Sequence, residues 1–149
     1  MEFRERLLAI TDVETLGLDF RIHEVIEIGL VLANQQTLEI IDQWAVKVRP
    51  EHPEIAEPKA LETNGYNKED WKEAILLTDA MRVYSEKTKD AVFAAHNVTF
   101  DWSMINEAFR KTGIPNQMDY HRIDLLTIAW YVGRRFPNLT RFNLKELCK

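Results

Sequence analysis

Asp12 and Glu14 stand two residues apart, directly after the apolar run Leu7-Leu8-Ala9-Ile10. On an extended chain the side chains alternate between faces, so Leu8, Ile10, Asp12 and Glu14 point one way and Ala9, Thr11 and Val13 the other. Two carboxylates so spaced lie about 6 to 7 Å apart at the strand's end. Keeping both ionised beside apolar residues is costly unless cations neutralise them. Hard oxygen donors with no neighbouring His or Cys suit Mg²⁺ or Mn²⁺ rather than zinc. Asp101 follows a second apolar run, Ala91 to Ala95, near the start of a helical pattern. With the two runs as parallel neighbours, Asp101 approaches Asp12 from the side and three acids surround one cleft. Such a cluster fits hydrolysis of a phosphodiester by two divalent cations about 3.5 to 4 Å apart. Taken singly, an acid at a strand end or helix start is more often a cap or a solvated side chain than a ligand.

The elements that must position these acids follow from hydropathy and turn chemistry. Residues 7–13 read as a buried strand closed by Thr15-Leu16-Gly17. Residues 25–33 and 38–48 read as second and third strands, and the short Asn34-Gln35-Gln36-Thr37 connection implies an antiparallel meander. In the third, Ile40, Trp44, Val46 and Val48 share one parity and should be covered. Residues 50–58 hold three prolines and must be irregular, leading to a short helix at 59–62 stopped by Asn64-Gly65. Asn67 and Thr78 are expected to cap helices over 68–75 and 78–89. Residues 91–95 form a fourth strand, and Thr99 is expected to cap a helix with the stripe Phe100, Met104, Ile105, Ala108 and Phe109, ended by Gly113. A short fifth strand at 120–123, a helix from Asp124 to Val132 and a last helix from Asn143 through Lys149 complete the chain. The order predicts an α/β domain: a mixed five-stranded sheet, three strands antiparallel and two parallel, flanked by helices. The fourth strand should lie beside the first, gathering a ligand site at their ends.

The 149 residues suffice for one domain with a substantial core. Hydrophobic residues at 46% and charged ones at 29% exclude disordered and collagen-like chains. Cys148 is the one cysteine, so no intramolecular disulfide forms and a reducing, cytoplasmic setting is expected, with no signal peptide or membrane span. The net charge of −5 argues against holding nucleic acid by bulk electrostatics. Residues 1–99 carry 11 Lys/Arg against 19 Asp/Glu, whereas residues 100–149 carry 8 against 5, so the last third could face phosphates or could simply be uneven surface.

The string Ala9-Ile10-Thr11-Asp12-Val13-Glu14-Thr15-Leu16-Gly17-Leu18 resembles the first motif, Asp-x-Glu-Thr-x-Gly, of the DEDDh 3′-5′ exonucleases. That family includes the proofreading epsilon subunit of bacterial DNA polymerase III and ribonuclease T. Val25 to Gly29 is similar to the family's second strand, and His96-Asn97-Val98-Thr99-Phe100-Asp101 to its second motif, His-Asn-x-x-Phe-Asp. Arg122-Ile123-Asp124 and Leu144 to Cys148 resemble later elements. The resemblance implies a ribonuclease H-like fold and 3′-5′ exonuclease activity on single-stranded DNA or RNA with two Mg²⁺ or Mn²⁺ ions. It further implies that Asp12 bridges both ions, Glu14 holds the site of the attacking water and Asp101 supports the second ion. Thr15, Leu16 and Gly17 would meet the terminal nucleotide, with Asn97 and Phe100 flanking the same pocket; core packing is the other reading of Leu16 and Phe100. A DNA polymerase is an implied partner.

The family's third motif, His-x-x-x-x-Asp on a final helix, supplies the general base and the fourth carboxylate. His96 and Asp101 have that spacing but precede the elements that the motif should follow, and His23, His52 and His121 read as solvated or structural. The chain is therefore expected to be a single exonuclease-like domain, 1–149, without that helix. Glu27 and Asp124 are expected to be structural, Asp124 as a cap. Two alternatives stay open: a catalytically impaired module that binds nucleic acid or a polymerase, and an RNA-specific exoribonuclease.

Overall fold

β1 (Leu7–Thr15) is the middle strand of the computed structural model, which describes residues 2–136, 139 and 141–148. It pairs antiparallel with β2 (Val25–Asn34), which pairs antiparallel with β3 (Ile40–Lys47). The β2–β3 connection is tight because the Asn34 side chain accepts hydrogen bonds from the N–H groups of Gln36 and Thr37. On its other edge β1 is joined in parallel by β4 (Val92–Ala95), and β4 in parallel by β5 (Arg122–Asp124). The order β3-β2-β1-β4-β5 is the mixed sheet expected, with β4 beside β1.

Three helices precede or flank these parallel strands. They are α1 (Pro58–Asn64), α2 (Leu77–Lys87) and α3 (Val98–Thr112), followed after β5 by α4 (Leu125–Gly133) and the short α5 (Leu144–Leu147). α2 and α3 cover one sheet face: Ala9, Val13, Ile28, Leu30 and Phe93 form a core with Met81, Tyr84, Met104, Ile105 and Phe109. Thr11 stays satisfied there because its hydroxyl lies 2.7 Å from that of Tyr84. On the opposite face Ile10 and Asp12 are exposed. A second core, Leu16, Ile26, Trp71 and Ala74, fixes the segment that crosses from β3 to α2, with the Trp71 indole N–H donating to the carbonyl of Ile26.

Several local expectations fail for identifiable reasons. The helix expected at 68–75 is a set of turns: the Asn67 carboxamide accepts from the Asp70 N–H as a cap would, but Ile75 is drawn into pairing beside Val48, donating to the Lys47 carbonyl and accepting from the Arg49 N–H. Thr78 and Thr99 do not cap: α2 starts after Leu76, and α3 starts after Asn97, which adopts a left-handed backbone (φ 64°). β5 begins two residues later than expected, and Ile40 is exposed despite its parity with Trp44 and Val46. The last helix ends at Leu147, short of Lys149, which lies outside the described residues. Among the described residues no helix is long and apolar enough to cross a membrane.

Asp124 is the cap that the sequence anticipates, and it caps more than its own helix. One carboxylate oxygen accepts from the N–H groups of Asn97, Val98 and Leu126, and the other from the N–H and hydroxyl of Thr127. It therefore joins the start of α4 to the start of α3, the helix that carries Asp101. Burial pushes its pKa up, but these hydrogen bonds outweigh burial and hold it below the usual carboxylate range. Replacing Asp124 with Ala should destabilise the protein by about 2 kcal/mol, at the upper end for a lost cap, in urea unfolding. A loss below about 0.5 kcal/mol, the level of an ordinary surface change, would show that the shared cap is not structural.

Candidate active site

The C-terminal end of β1 presents Asp12 and Glu14 on the sheet face that α2 and α3 leave bare, Asp12 exposed and Glu14 half-buried. Their partners on β2 are Gly29 and Glu27. Gly29 puts no side chain beside Asp12, so the surface there stays open. β4 runs parallel to β1 and ends at Ala95, and the turn through Asn97 starts α3 close to β1. Asp101, in the first turn of α3, is buried at 3% exposure and accepts a hydrogen bond from the N–H of Val13 at 3.1 Å. Val13 is the residue between the two strand acids, so Asp101 is anchored at the same C-terminal end of β1 that carries Asp12 and Glu14.

Their electrostatics reflect that placement. Burial, then the neighbouring Asp12, pushes the Asp101 carboxyl up to about 6, against the pull of the Val13 N–H, and Glu14 adds to the rise. Glu14 is raised by burial, then by Asp12 and Glu27. Asp12 is raised by burial, opposed by His96. Three acids disfavoured as anions form a donor set of hard oxygens that suits Mg²⁺ or Mn²⁺, since a divalent cation would relieve the repulsion. Their oxygens do not all lie within 4.8 Å of one another. Among the described residues the set that meets that distance is Glu24, Glu51 and His52. There Glu24 already accepts from the N–H groups of Glu51 and His52, which makes it a loop staple.

Beside Glu14 lies a cleft of about 280 Å³ between the end of β1, the loop after it, α1 and α3. Thr15, Gly17 and Phe100 line it as expected residues, joined by Leu18, Lys59 and Asn64. Leu16 does not reach it: just past the end of β1, its side chain is fully buried against Ile26, Trp71 and Ala74. Asn97 is not among the lining residues either, because its left-handed backbone serves the turn from β4 into α3 and its N–H is held by Asp124. Gly17 has a structural reason of its own, since a Cβ there would sit 2.6 Å from the His23 ring. His23 is buried, with Nδ1 accepting from the Asp19 N–H, so of the two readings for this histidine the structural one holds.

Leu18 escaped the sequence reading although its 74% exposure for a large apolar side chain is conspicuous in the fold. Asn64, which the sequence offers both as a helix stop and as a residue lining a nucleotide pocket, lines the cleft; its side chain donates to the Thr15 carbonyl and accepts from the Tyr66 N–H, so it also ties α1 to the end of β1. A larger cavity of about 440 Å³, between α2, α3 and the start of β2, contains none of the three acids.

Comparison with known proteins accords with this architecture. The RNase T exonuclease family model matches residues 9–149. The PolC-type DNA polymerase III of Bacillus cereus is 29% identical over 145 residues, 97% of this chain but 10% of the relative. Protein NEN2 of Arabidopsis thaliana is 29% identical over 110 residues, 71% of this chain and 22% of the relative. The chain thus spans about a tenth of the length of its PolC-type relatives. Escherichia coli exonuclease I in complex with a 5cy-dA13 oligonucleotide superposes with a TM-score of 0.80 at 16% identity, covering 95% of this chain and 35% of that one. A zinc-bound complex of the same enzyme with single-stranded DNA gives 0.78 at 18% identity, covering 96% and 34%. The fold is ribonuclease H-like, as the sequence motifs imply.

The raised Asp101 carboxyl makes stability depend on pH with a defined sign. Between about pH 4 and 6 the folded chain binds more protons than the unfolded one, so its contribution to stability falls as pH rises. Without divalent ions, Asp101→Asn should gain on the wild type across that window by on the order of 2 kcal/mol, read by chemical unfolding at several pH values. A gap that stays constant with pH would contradict the shift.

Proposed function

The chain belongs to the exonuclease family whose model spans residues 9–149, and from that premise we propose that it hydrolyses phosphodiester bonds from the 3′ end of single-stranded nucleic acid, using Asp12, Glu14 and Asp101. The observation that carries this reading is the edge of β1, where a buried Asp101 is pinned to the Val13 N–H between two further acids. A nucleoside-sized cleft adjoins it. The oligonucleotide complexes of exonuclease I support a single-stranded substrate, and the PolC-type relatives support a polymerase as partner. A cytoplasmic setting fits such a role.

Asp12, Glu14 and Asp101 would hold two divalent cations, Mg²⁺ or Mn²⁺, which when bound activate water and stabilise the departing oxygen. The chain's own groups orient the substrate. Thr15, Gly17, Leu18 and Phe100 enclose the terminal nucleoside, with Leu18 and Phe100 offering apolar surface to its base. Leu16 supports that wall from beneath, and Asn97 shapes the turn that delivers Phe100 and Asp101. Glu14, at the boundary between the acids and the cleft, accepts a hydrogen bond from the attacking water. A general base in the third-motif position would add about 10²- to 10⁴-fold to the rate.

Incubation of single-stranded DNA and RNA, each labelled at the 5′ end, with Mg²⁺ or Mn²⁺ should yield a ladder shortened from the 3′ end, abolished by chelation. Asp12→Ala, Glu14→Ala and Asp101→Ala should each reduce the rate by about 100-fold or more. Relative rates on the two strands decide between a deoxyribonuclease and an RNA-specific enzyme. Tight binding of either strand without any shortening, even over long incubation with Mn²⁺, would favour the binding-module alternative.

A further inference from the structure

We propose that Lys59 is the phosphate anchor of the cleft: its ammonium holds a phosphate group of the substrate strand and so sets how tightly, rather than how fast, the strand is processed. This rests on the nuclease reading above. The cleft's charged lining consists of Glu14, Glu57 and Lys59, so Lys59 is the one cation among the described residues that face it. A polyanion entering between Glu14 and Glu57 is otherwise repelled at close range.

Lys59 is also free to act. Lys72, Lys87, Arg21, Arg82 and Arg110 are each engaged by a carboxylate within 2.9 Å, and the Lys47 ammonium lies over the Trp71 ring. The Lys59 side chain has no hydrogen bond or ion pair among the described residues, and it is exposed. Nor does local helix electrostatics account for it. Lys59 sits in the first turn of α1, where the macrodipole favours an acid and disfavours a cation.

Its backbone position is fixed although its side chain is exposed. Pro58 starts α1, Gly65 closes it in the left-handed conformation, and the Thr63 hydroxyl donates to the Lys59 carbonyl. The Glu57 N–H donates to the Leu16 carbonyl, which ties this turn to the loop carrying Gly17 and Leu18. A strand whose terminal nucleoside meets Leu18 and Phe100 then runs within reach of a compact, strongly hydrated charge of the kind that binds phosphate without reading sequence.

The test uses the full 149-residue chain and a fluorescent oligo(dT), with Ca²⁺ to suppress turnover, and follows affinity against KCl concentration. For Lys59→Gln we expect weaker binding and a log-log salt slope shallower by about 0.7, the value for one phosphate contact on a single strand. Lys59→Arg should restore both, and with Mg²⁺ the Gln variant should show a KM raised by about tenfold and a much smaller change in kcat. Oligonucleotides ending in 3′-hydroxyl and 3′-phosphate separate the sources. An effect on both assigns an internal diester, and an effect confined to the second assigns a terminal phosphate. Lys59→Gln binding with wild-type affinity and slope overturns the inference and leaves the nuclease reading intact. Failure of the wild type to bind or cut either nucleic acid overturns both.

Discussion

The hydrogen bond that the N–H of Val13, between Asp12 and Glu14, donates to the buried Asp101 is the interaction on which the rest of this arrangement depends. Each acid is raised by burial, and Asp101 and Glu14 are raised further by Asp12. None can retreat easily. Two are set two residues apart on one strand, and the third is held by a backbone N–H of that same strand. A chain free to relax would separate such groups, so what keeps them together has to be paid for elsewhere, by the core beneath β1 and by the cap at the start of α3.

That support is layered. The buried face of β1 packs on α2 and α3, which fixes the height of α3 above the sheet. Parallel pairing of β4 with β1 then aims the start of α3 at Val13. Asp124, arriving from β5, fills the N-terminal hydrogen-bonding groups of α3 from outside the helix, so the first turn is held without a side chain of its own. On the other side the small core around Leu16 and Trp71 fixes α1, and with it the cleft wall that carries Lys59 and Asn64. Acid cluster and cleft meet at Glu14, the residue common to both.

Most of this was legible because it follows from local periodicity. Alternation in residues 7–14 put Asp12 and Glu14 on one face, and the short β2–β3 turn and the long crossing to β4 dictated the strand order. What escaped depends on contacts distant in sequence. Leu16 would continue the face of Glu14 if the chain stayed extended, but it is drawn into the small core of Ile26, Trp71 and Ala74, residues distant in sequence. Thr99 looked like the cap of α3, yet the role falls to Asp124, which reaches it only through the parallel pairing of β5 with β4. Asn67 makes the bond of a helix cap, yet the chain after it is drawn into pairing with residues 47–49 through Ile75, a contact that local sequence does not reveal. Lys59 carries no signal in one dimension, since its meaning lies in the cleft it faces.

The central claim concerns where hard cations bind. Anomalous scattering from a crystal soaked in Mn²⁺ locates them directly. The account predicts peaks bounded by Asp12, Glu14 and Asp101, with the carboxylate oxygens drawn together from their metal-free separation. Density confined to Glu24, Glu51 and His52, or none near β1 at saturating Mn²⁺, would contradict it.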